Sequence, residues 1–353
     1  MNNAKRGQIP PYNLFFLPYI SRVIVTLTYV QSISVGIMAS DLLISVAIAF
    51  VLTVLLSFPI CFCIKKGISP ISVKWIGWLY ICFFVYKTAV NVARFSGFAT
   101  GRLNPDATTY FFSIMIICAV AYGAYLGIEG LGRFSLFVGV SILGVIVLII
   151  GLNADNFELI NLFPVVQNST SDIAYNSAIF TSNAVEPAVL LVLSGRVNSD
   201  YNKIKKAYFG SVVSAYLTIF VLIFFSLAVM GANSTLSSYP IFTLFQMATG
   251  ESMARLDIIH TAFWILSAFL KCSLLIYCAT VCIKQFSHKN KCIIISASAL
   301  ALSLCMTEWV TDLLIKISKP LSLATFVIFC VVIPLLSLFI IKKSKGDLLI
   351  EKF

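Results

Sequence analysis

Charged residues are scarce in this sequence. They account for 11% of its 353 residues, with only 14 acidic side chains and two histidines, whereas 59% of the residues are hydrophobic. The mean hydropathy is +0.98. A soluble globule of this length needs far more polar surface to face water. The composition therefore excludes a soluble protein and predicts a chain that folds within a lipid bilayer.

Motifs of catalysis and metal binding are missing too. The sequence contains no H-E-x-x-H, no P-loop, no carboxylate cluster and no C-x-x-C among its ten cysteines. One pattern, Gly250 and Ser252 with His260 nearby, is similar to that of intramembrane serine proteases, but the serine falls in a loop and no glycine follows it. We therefore expect no enzyme, no catalytic residues, no metal and no cofactor, and keep an intramembrane hydrolase only as a third hypothesis.

Long apolar runs dominate the rest of the chain. Ten of them are long enough to cross about 30 Å of hydrocarbon at a rise of about 1.5 Å per residue. They cover residues 13–38, 42–64, 75–98, 108–128, 134–152, 175–193, 208–231, 256–283, 293–309 and 321–341. We predict an all-α integral membrane protein of about ten transmembrane helices, forming a single domain over residues 1–353.

The basic residues indicate the orientation of these spans. With the N-terminus inside, nearly all lysines and arginines fall in the inner connections, whereas the outer connections are richer in acidic than in basic residues. The net charge of +11 then reflects topology rather than a nucleic-acid partner. We predict a multi-pass protein of the cell membrane, in contact with lipid, whose short termini are both cytoplasmic.

The number of spans predicts an inverted repeat. Ten spans divide into two sets of five, at about 13–152 and 175–341, and an odd number of crossings inverts the second set relative to the first, as in many transporters. In that plan the first helix of each set, here spans one and six, is the one expected to break at mid-membrane and bind a ligand. Both spans are unusually polar in this sequence.

Span six also contains a proline that predicts where it breaks. Proline lacks a backbone donor and disfavours helix in the residue before it, so Pro187 predicts an interruption near Glu186. A proline-kinked helix packed inside a bundle is the alternative interpretation. The candidate ligand-binding residues are Thr28, Gln31 and Ser32 in span one, Lys87 in span three, and Thr181, Ser182, Asn183 and Glu186 in span six.

Ionisable residues within the spans indicate a functional site more strongly than uncharged polar residues do, because each costs several kcal/mol in hydrocarbon unless it is paired or hydrated. Lys87 and Lys271 lie near the middle of spans three and eight. Positive charge exceeds negative even if Lys87 pairs with Glu186, so a bound carboxylate, helix carbonyl ends or deprotonation of a lysine must balance it. We hypothesise that Lys271 points at carbonyl groups of the first span. Arg22 and Arg94 lie nearer an interface, and we expect them to extend to it.

Several short motifs resemble one family. They are Gly127-Ile128-Glu129-Gly130-Leu131-Gly132-Arg133 between spans four and five, Asn161-Leu162-Phe163-Pro164 after span five, and then Tyr239-Pro240, Arg255-Leu256-Asp257, Trp264 and Lys271. In this order and spacing they resemble the spore germination permeases, the B subunits of germinant receptors, within the amino acid/polyamine/organocation transporter superfamily. Glu129 and Arg133 are four residues apart at a helix junction, and we predict an ion pair that fixes this turn rather than a ligand contact.

The resemblance implies a fold and a function. It implies a 5+5 inverted repeat of the LeuT type with broken helices 1 and 6, and a membrane subunit in the inner membrane of a spore that works with an A and a C subunit. It also implies a small germinant, such as an amino acid, bound between spans one, three, six and eight, with Lys271 standing where sodium-coupled relatives hold a cation. The alternative is a cation- or proton-coupled amino-acid permease of the same superfamily.

Overall fold

The chain forms a bundle of α-helices. The computed structural model describes residues 7–33, 39–231, 233–237, 239–248, 257–283, 285, 287–308 and 320–340, with the backbone alone at 25–33. The helices are α1 (Pro11–Ile33), α2 (Ala39–Lys65), α3 (Lys74–Phe98), α4 (Thr109–Leu152), α5 (Thr170–Ser182), α6 (Glu186–Leu193), α7 (Tyr201–Met230), α8 (Asn233–Leu236), α9 (Pro240–Ala248), α10 (Asp257–Val281), α11 (His288–Glu308) and α12 (Pro320–Leu338). The described residues contain no strand beyond a single bridge between Ile9 and Val197.

The lengths and apolarity of these helices confirm an all-helical membrane protein. Within the described residues, eight helical segments are long and apolar enough to cross a membrane. One of them, α4, has 44 residues and so is roughly 66 Å long, more than twice the thickness of the hydrocarbon. It kinks at Gly127, near the end of the predicted fourth span. The φ of this residue is 81°, a conformation that glycine adopts without the steric strain it causes in other residues. The exact count of ten and the inverted repeat stay predictions.

The sixth predicted span is broken, as its proline indicates. The helix that begins at the N-cap Ser169 ends at Ser182, and α6 begins at Glu186 after the non-helical residues 183–185. Pro187 lies in the first turn of α6, where backbone N–H groups have no acceptor within the helix. The missing N–H of proline therefore costs no helical hydrogen bond. The interruption predicted near Glu186 is therefore confirmed.

The first predicted span differs from its expected form. Between Pro11 and Ile33 the structure has one helix, with Pro18 inside it, rather than a broken pair. This stretch contains no glycine that would release the backbone from helical geometry. Gly36, the nearest one, falls at 34–38, outside the described residues.

Burial shows which helices form the interior of the bundle. In the most apolar 18-residue stretch of each span, 78% of the residues are buried in the α5–α6 segment and 72% in α10, whereas only 28% are buried in α11. Helix α1 packs against α4, α7 and α10, and α6 packs against α1, α2 and α10. The break between α5 and α6 therefore lies inside the bundle, with α1, α2 and α10 around it.

The segment that precedes α1 is fastened to two other parts of the chain. The N–H of Ile9 donates to the Arg196 carbonyl at 2.8 Å, and the N–H of Asn198 donates to the Ile9 carbonyl at 3.1 Å. The N–H of Gly7 donates to the Glu129 carboxylate, just beyond the kink of α4. Glu129 thus binds a backbone donor, Arg133 is exposed, and the ion pair between them stays a prediction.

Asp41, at the start of α2, fixes the loop that leads into α5. Its side chain is fully buried and accepts four hydrogen bonds, from the backbone N–H groups of Val166, Gln167 and Asn168 and from the Asn168 amide, at 2.6 to 2.9 Å. A carboxylate that collects several N–H groups replaces its lost hydration. The contact holds Val166 at a φ of 63°, which a β-branched residue rarely adopts.

Replacing Asp41 by asparagine is expected to lower the melting temperature of the purified protein in detergent. The NH₂ group of asparagine cannot accept hydrogen bonds from the backbone N–H groups of the loop. The variant therefore loses charge-assisted hydrogen bonds worth about 1.5–3 kcal/mol each. Asp155→Asn, at an exposed residue, is the matched control and should melt like the wild type. Equal melting temperatures for both variants would show that this carboxylate does not hold the loop.

Candidate functional site

The predicted polar residues of span six lie at the carbonyl end of α5. Thr181 donates its hydroxyl hydrogen bond to the Ser177 carbonyl at 2.8 Å, Ser182 to that of Ile179 at 2.8 Å, and the Asn183 amide to the same Ile179 carbonyl at 2.9 Å. They satisfy carbonyl groups near the end of the helix and keep oxygen lone pairs free as acceptors.

The predicted candidates of span one belong to α1. Thr28, Gln31 and Ser32 lie in this helix, but their side chains are outside the described residues. The structure places Glu186 and Lys271 against Ser21 of α1 and Lys87 at the end of α5. The ligand contacts of Thr28, Gln31 and Ser32 stay a prediction.

Glu186 is buried at the first turn of α6. It is 2% exposed, and its Oε1 accepts a hydrogen bond from the Ser21 hydroxyl of α1 at 2.9 Å. Its second oxygen, Oε2, has no hydrogen-bond partner among the residues that the structure describes. A buried carboxylate with one oxygen unsatisfied is costly, so this atom is free to accept a donor from a bound molecule.

Arg22, the next residue along α1, is buried as well. It is 2% exposed, and its Nη2 donates to the Phe180 carbonyl at 2.8 Å and to the Tyr216 hydroxyl at 2.6 Å. Within the described part of the chain, its Nε and Nη1 have no hydrogen-bond partner. The expectation that Arg22 extends to an interface is therefore wrong, because α1 packs this side chain against α5 and α7.

A short series of hydroxyl groups orients Arg22. Arginine only donates, so the Tyr216 hydroxyl accepts from it, and the same hydroxyl shares a hydrogen bond with the Thr53 hydroxyl of α2, 2.6 Å away. One turn further along α2, Ser57 donates to the Thr53 carbonyl at 2.6 Å, which leaves the Tyr208 hydroxyl, 2.9 Å away, to donate to Ser57. Sequence reasoning missed these residues, although their spacings of four on α2 and eight on α7 place each pair on one helix face.

Each of the two buried lysines binds a backbone carbonyl. Lys87 is 5% exposed, and its ammonium donates to the Ser182 carbonyl at 3.3 Å and to the Ser322 hydroxyl at 3.2 Å. It thus lies at the negative end of the α5 dipole. Lys271 is 2% exposed and donates to the Ser21 carbonyl of α1 at 2.8 Å, the direction that the sequence hypothesis gave it.

Buried charge is unbalanced around the break. In the described interior, three cationic side chains lie near the break: Arg22, Lys87 and Lys271. Glu186 is the single buried carboxylate available to balance them, because Asp41 already accepts hydrogen bonds from the loop before α5. Lys87 donates its hydrogen bonds to Ser182 and Ser322 rather than to Glu186. Because buried ions cost several kcal/mol each, the arrangement favours a bound group that carries negative charge and also offers a donor.

The chain matches known proteins in one family and in one fold. The family model described as spore germination protein, or spore permease, matches residues 8–312. No curated protein matches the sequence significantly. Mhp1, a nucleobase-cation-symport-1 family transporter solved closed with bromovinylhydantoin bound, is 14% identical, with a TM-score of 0.65 over 95% of this chain and 80% of that one. A substrate-bound, outward-open Na⁺-coupled sialic acid symporter is also 14% identical, with a TM-score of 0.65 over 93% of this chain and 80% of that one.

Replacing Glu186 by glutamine is expected to destabilise the protein. The change keeps the shape of the side chain but removes the only negative charge beside three buried cations, at a cost of about 3 kcal/mol in the free energy of unfolding. The measurement is the melting temperature in detergent, with the exposed Glu158→Gln as control. A variant as stable as the wild type would mean that Glu186 does not offset the charge of the three cations.

Proposed function

Because the chain belongs to the spore permease family of spore germination proteins, we propose that it is the membrane subunit of a germinant receptor. In this proposal it binds a small germinant, an amino acid, beside the break between α5 and α6, and it works with an A and a C subunit in the inner membrane of the spore. Binding triggers germination. The observation that carries the proposal is a pair of oppositely charged side chains that keep unsatisfied atoms: Glu186, which is bound by Ser21 of α1, and Arg22, the next residue of α1.

The unsatisfied atoms fit the two charged ends of an amino acid. The free Oε2 of Glu186 would accept from the ammonium group, and the free nitrogen atoms of Arg22 would donate to the carboxylate, whose charge also offsets that of Lys87. Each buried atom left without a partner costs about 1–3 kcal/mol. The germinant would recover this energy in the state that it binds and so shift the population toward that state.

Lys271 would stand in for a metal cation. Its ammonium binds the Ser21 carbonyl, while the hydroxyl of the same Ser21 binds Glu186. One residue of α1 therefore links the lysine of α10 to the carboxylate of α6. The related fold of a Na⁺-coupled symporter supports a cation at α1, and here a tethered ammonium would supply it, so that the receptor needs no sodium.

Spores whose copy of this chain carries Lys271→Met are expected not to germinate in response to the germinant. The substitution keeps nearly the length of the side chain and removes the charge, so α1 loses its hydrogen bond from α10 while insertion into the membrane is unaffected. The measurement is the release of spore contents after addition of the germinant, normalised to the amount of the chain in the inner membrane. Lys289→Met, at an exposed residue, is the control and should germinate normally.

Two results would contradict the receptor. The first is normal germination of the Lys271→Met spores. The second is uptake of a labelled amino acid into proteoliposomes that contain only this chain, driven by a sodium or proton gradient, which would favour the coupled permease instead. Co-purification with large A-type and lipoprotein C-type partners supports the receptor.

Arg22→Met is expected to weaken binding of the amino acid about 10- to 100-fold, because a hydrogen bond to a charged group is worth about 1.5–3 kcal/mol. The matched ligand is the amide of the same amino acid, which lacks the carboxylate charge. The amide should bind weakly to the wild type and no more weakly to the variant, as measured by calorimetry on the purified protein. An equal loss for both ligands would show that Arg22 does not contact the carboxylate.

A further inference from the structure

A cavity lies on the outer surface of the bundle between α2 and α7. Its volume is about 390 Å³, and it is lined by Val54 and Phe58 of α2 and by Asn202, Lys205, Lys206 and Phe209 of α7. We call these six residues the α2–α7 groove. None of them is acidic.

The groove changes from basic to apolar with depth. Helix α2 ends at Lys65, so Phe58 lies about 10 Å and Val54 about 16 Å below that end at about 1.5 Å per residue. The polar lining residues, Asn202, Lys205 and Lys206, all lie in the first two turns of α7. The groove is therefore polar at the face where α2 ends and α7 begins, and hydrophobic toward the hydrocarbon.

Ring contacts shape the wall of the groove. The rings of Phe58 and Phe209 are 5.8 Å apart between centroids, and the Lys205 ammonium lies 6.0 Å from the Phe209 ring. Asp200, the N-cap residue of α7, is not among the lining residues and offsets the positive end of this helix, so the charge at the mouth comes from the lysines. Two lysines and no carboxylate in the lining make the mouth of the groove a site for an anion.

The size of the groove decides between a lipid and a protein helix. A helix about 10 Å across occupies roughly 1,200 Å³ over a length of about 16 Å, about twice the roughly 640 Å³ of space in the groove that is empty of protein atoms. An acyl chain is a single thread of carbon atoms and fits such a groove lengthwise. We propose that the α2–α7 groove binds one anionic phospholipid, with its phosphate at Lys205 and Lys206 and an acyl chain along Phe58, Phe209 and Val54.

Native mass spectrometry of the delipidated full-length chain tests this proposal. We expect one phosphatidylglycerol to bind per chain, and phosphatidylcholine and free glycerol phosphate to bind much more weakly. Lys205→Glu with Lys206→Glu should weaken phosphatidylglycerol binding about thirtyfold or more, since each basic residue near the surface contributes about 1 kcal/mol. Lys203→Glu with Lys289→Glu makes the same change of charge at exposed residues outside the groove and should leave binding intact.

Val54→Trp separates a groove from a merely basic surface. The indole fills the apolar part without a change of charge, so it should weaken phosphatidylglycerol binding as well, with the melting temperature of the lipid-free protein as the check on folding. Unchanged binding to Val54→Trp would overturn the proposal, as would equal binding of phosphatidylcholine or an equal loss in the control double variant. The germinant plays no part in this experiment, so the outcome is independent of the proposed receptor function.

Discussion

The cost of burying polar groups in hydrocarbon governs the interior of this protein. A broken helix releases backbone carbonyl groups that water cannot satisfy there, so the chain must supply partners itself. Thr181, Ser182 and Asn183 cover carbonyl groups near the end of α5, and the ammonium of Lys87 binds the Ser182 carbonyl. Arg22 also donates to the Phe180 carbonyl. The break is tolerated because side chains, two buried cations among them, replace the missing turn, and the same replacement brings charge to the centre of the bundle.

Ser21 connects the parts of this interior. Its carbonyl binds Lys271 of α10 and its hydroxyl binds Glu186 of α6, while Arg22 beside it binds α5 and α7. A change in the partners of Glu186 or Arg22 therefore acts on α1 directly. Through Tyr216 and Thr53 it also acts on the contact between α2 and α7, the same two helices whose outer face forms the α2–α7 groove.

The sequence predicted the features that depend on neighbouring residues. Apolar length predicted a helical membrane protein, and Pro187 predicted the interruption before Glu186. The prediction for Arg22 was wrong, because the position of a residue along its own helix does not reveal which groups of other helices lie opposite its side chain. The partners of Arg22, Phe180 and Tyr216, are 158 and 194 residues away in the chain. Within Pro11–Ile33 the expected break of α1 is absent, since polarity alone does not interrupt a helix that has no glycine.

The choice of lysine over a bound metal ion bears on what the proposed receptor can do. An exchangeable ion at α1 leaves the site when the protein changes state, and its gradient can then drive transport. The ammonium of Lys271 is covalently part of α10 and cannot leave, so its contact with Ser21 can only form or break. A site built in this way stores no gradient, but in the proposed receptor the states with this contact formed and broken would differ in free energy, and a ligand at Glu186 would select between them. That property is sufficient for a sensor, whereas a coupled symporter also needs a cation that moves.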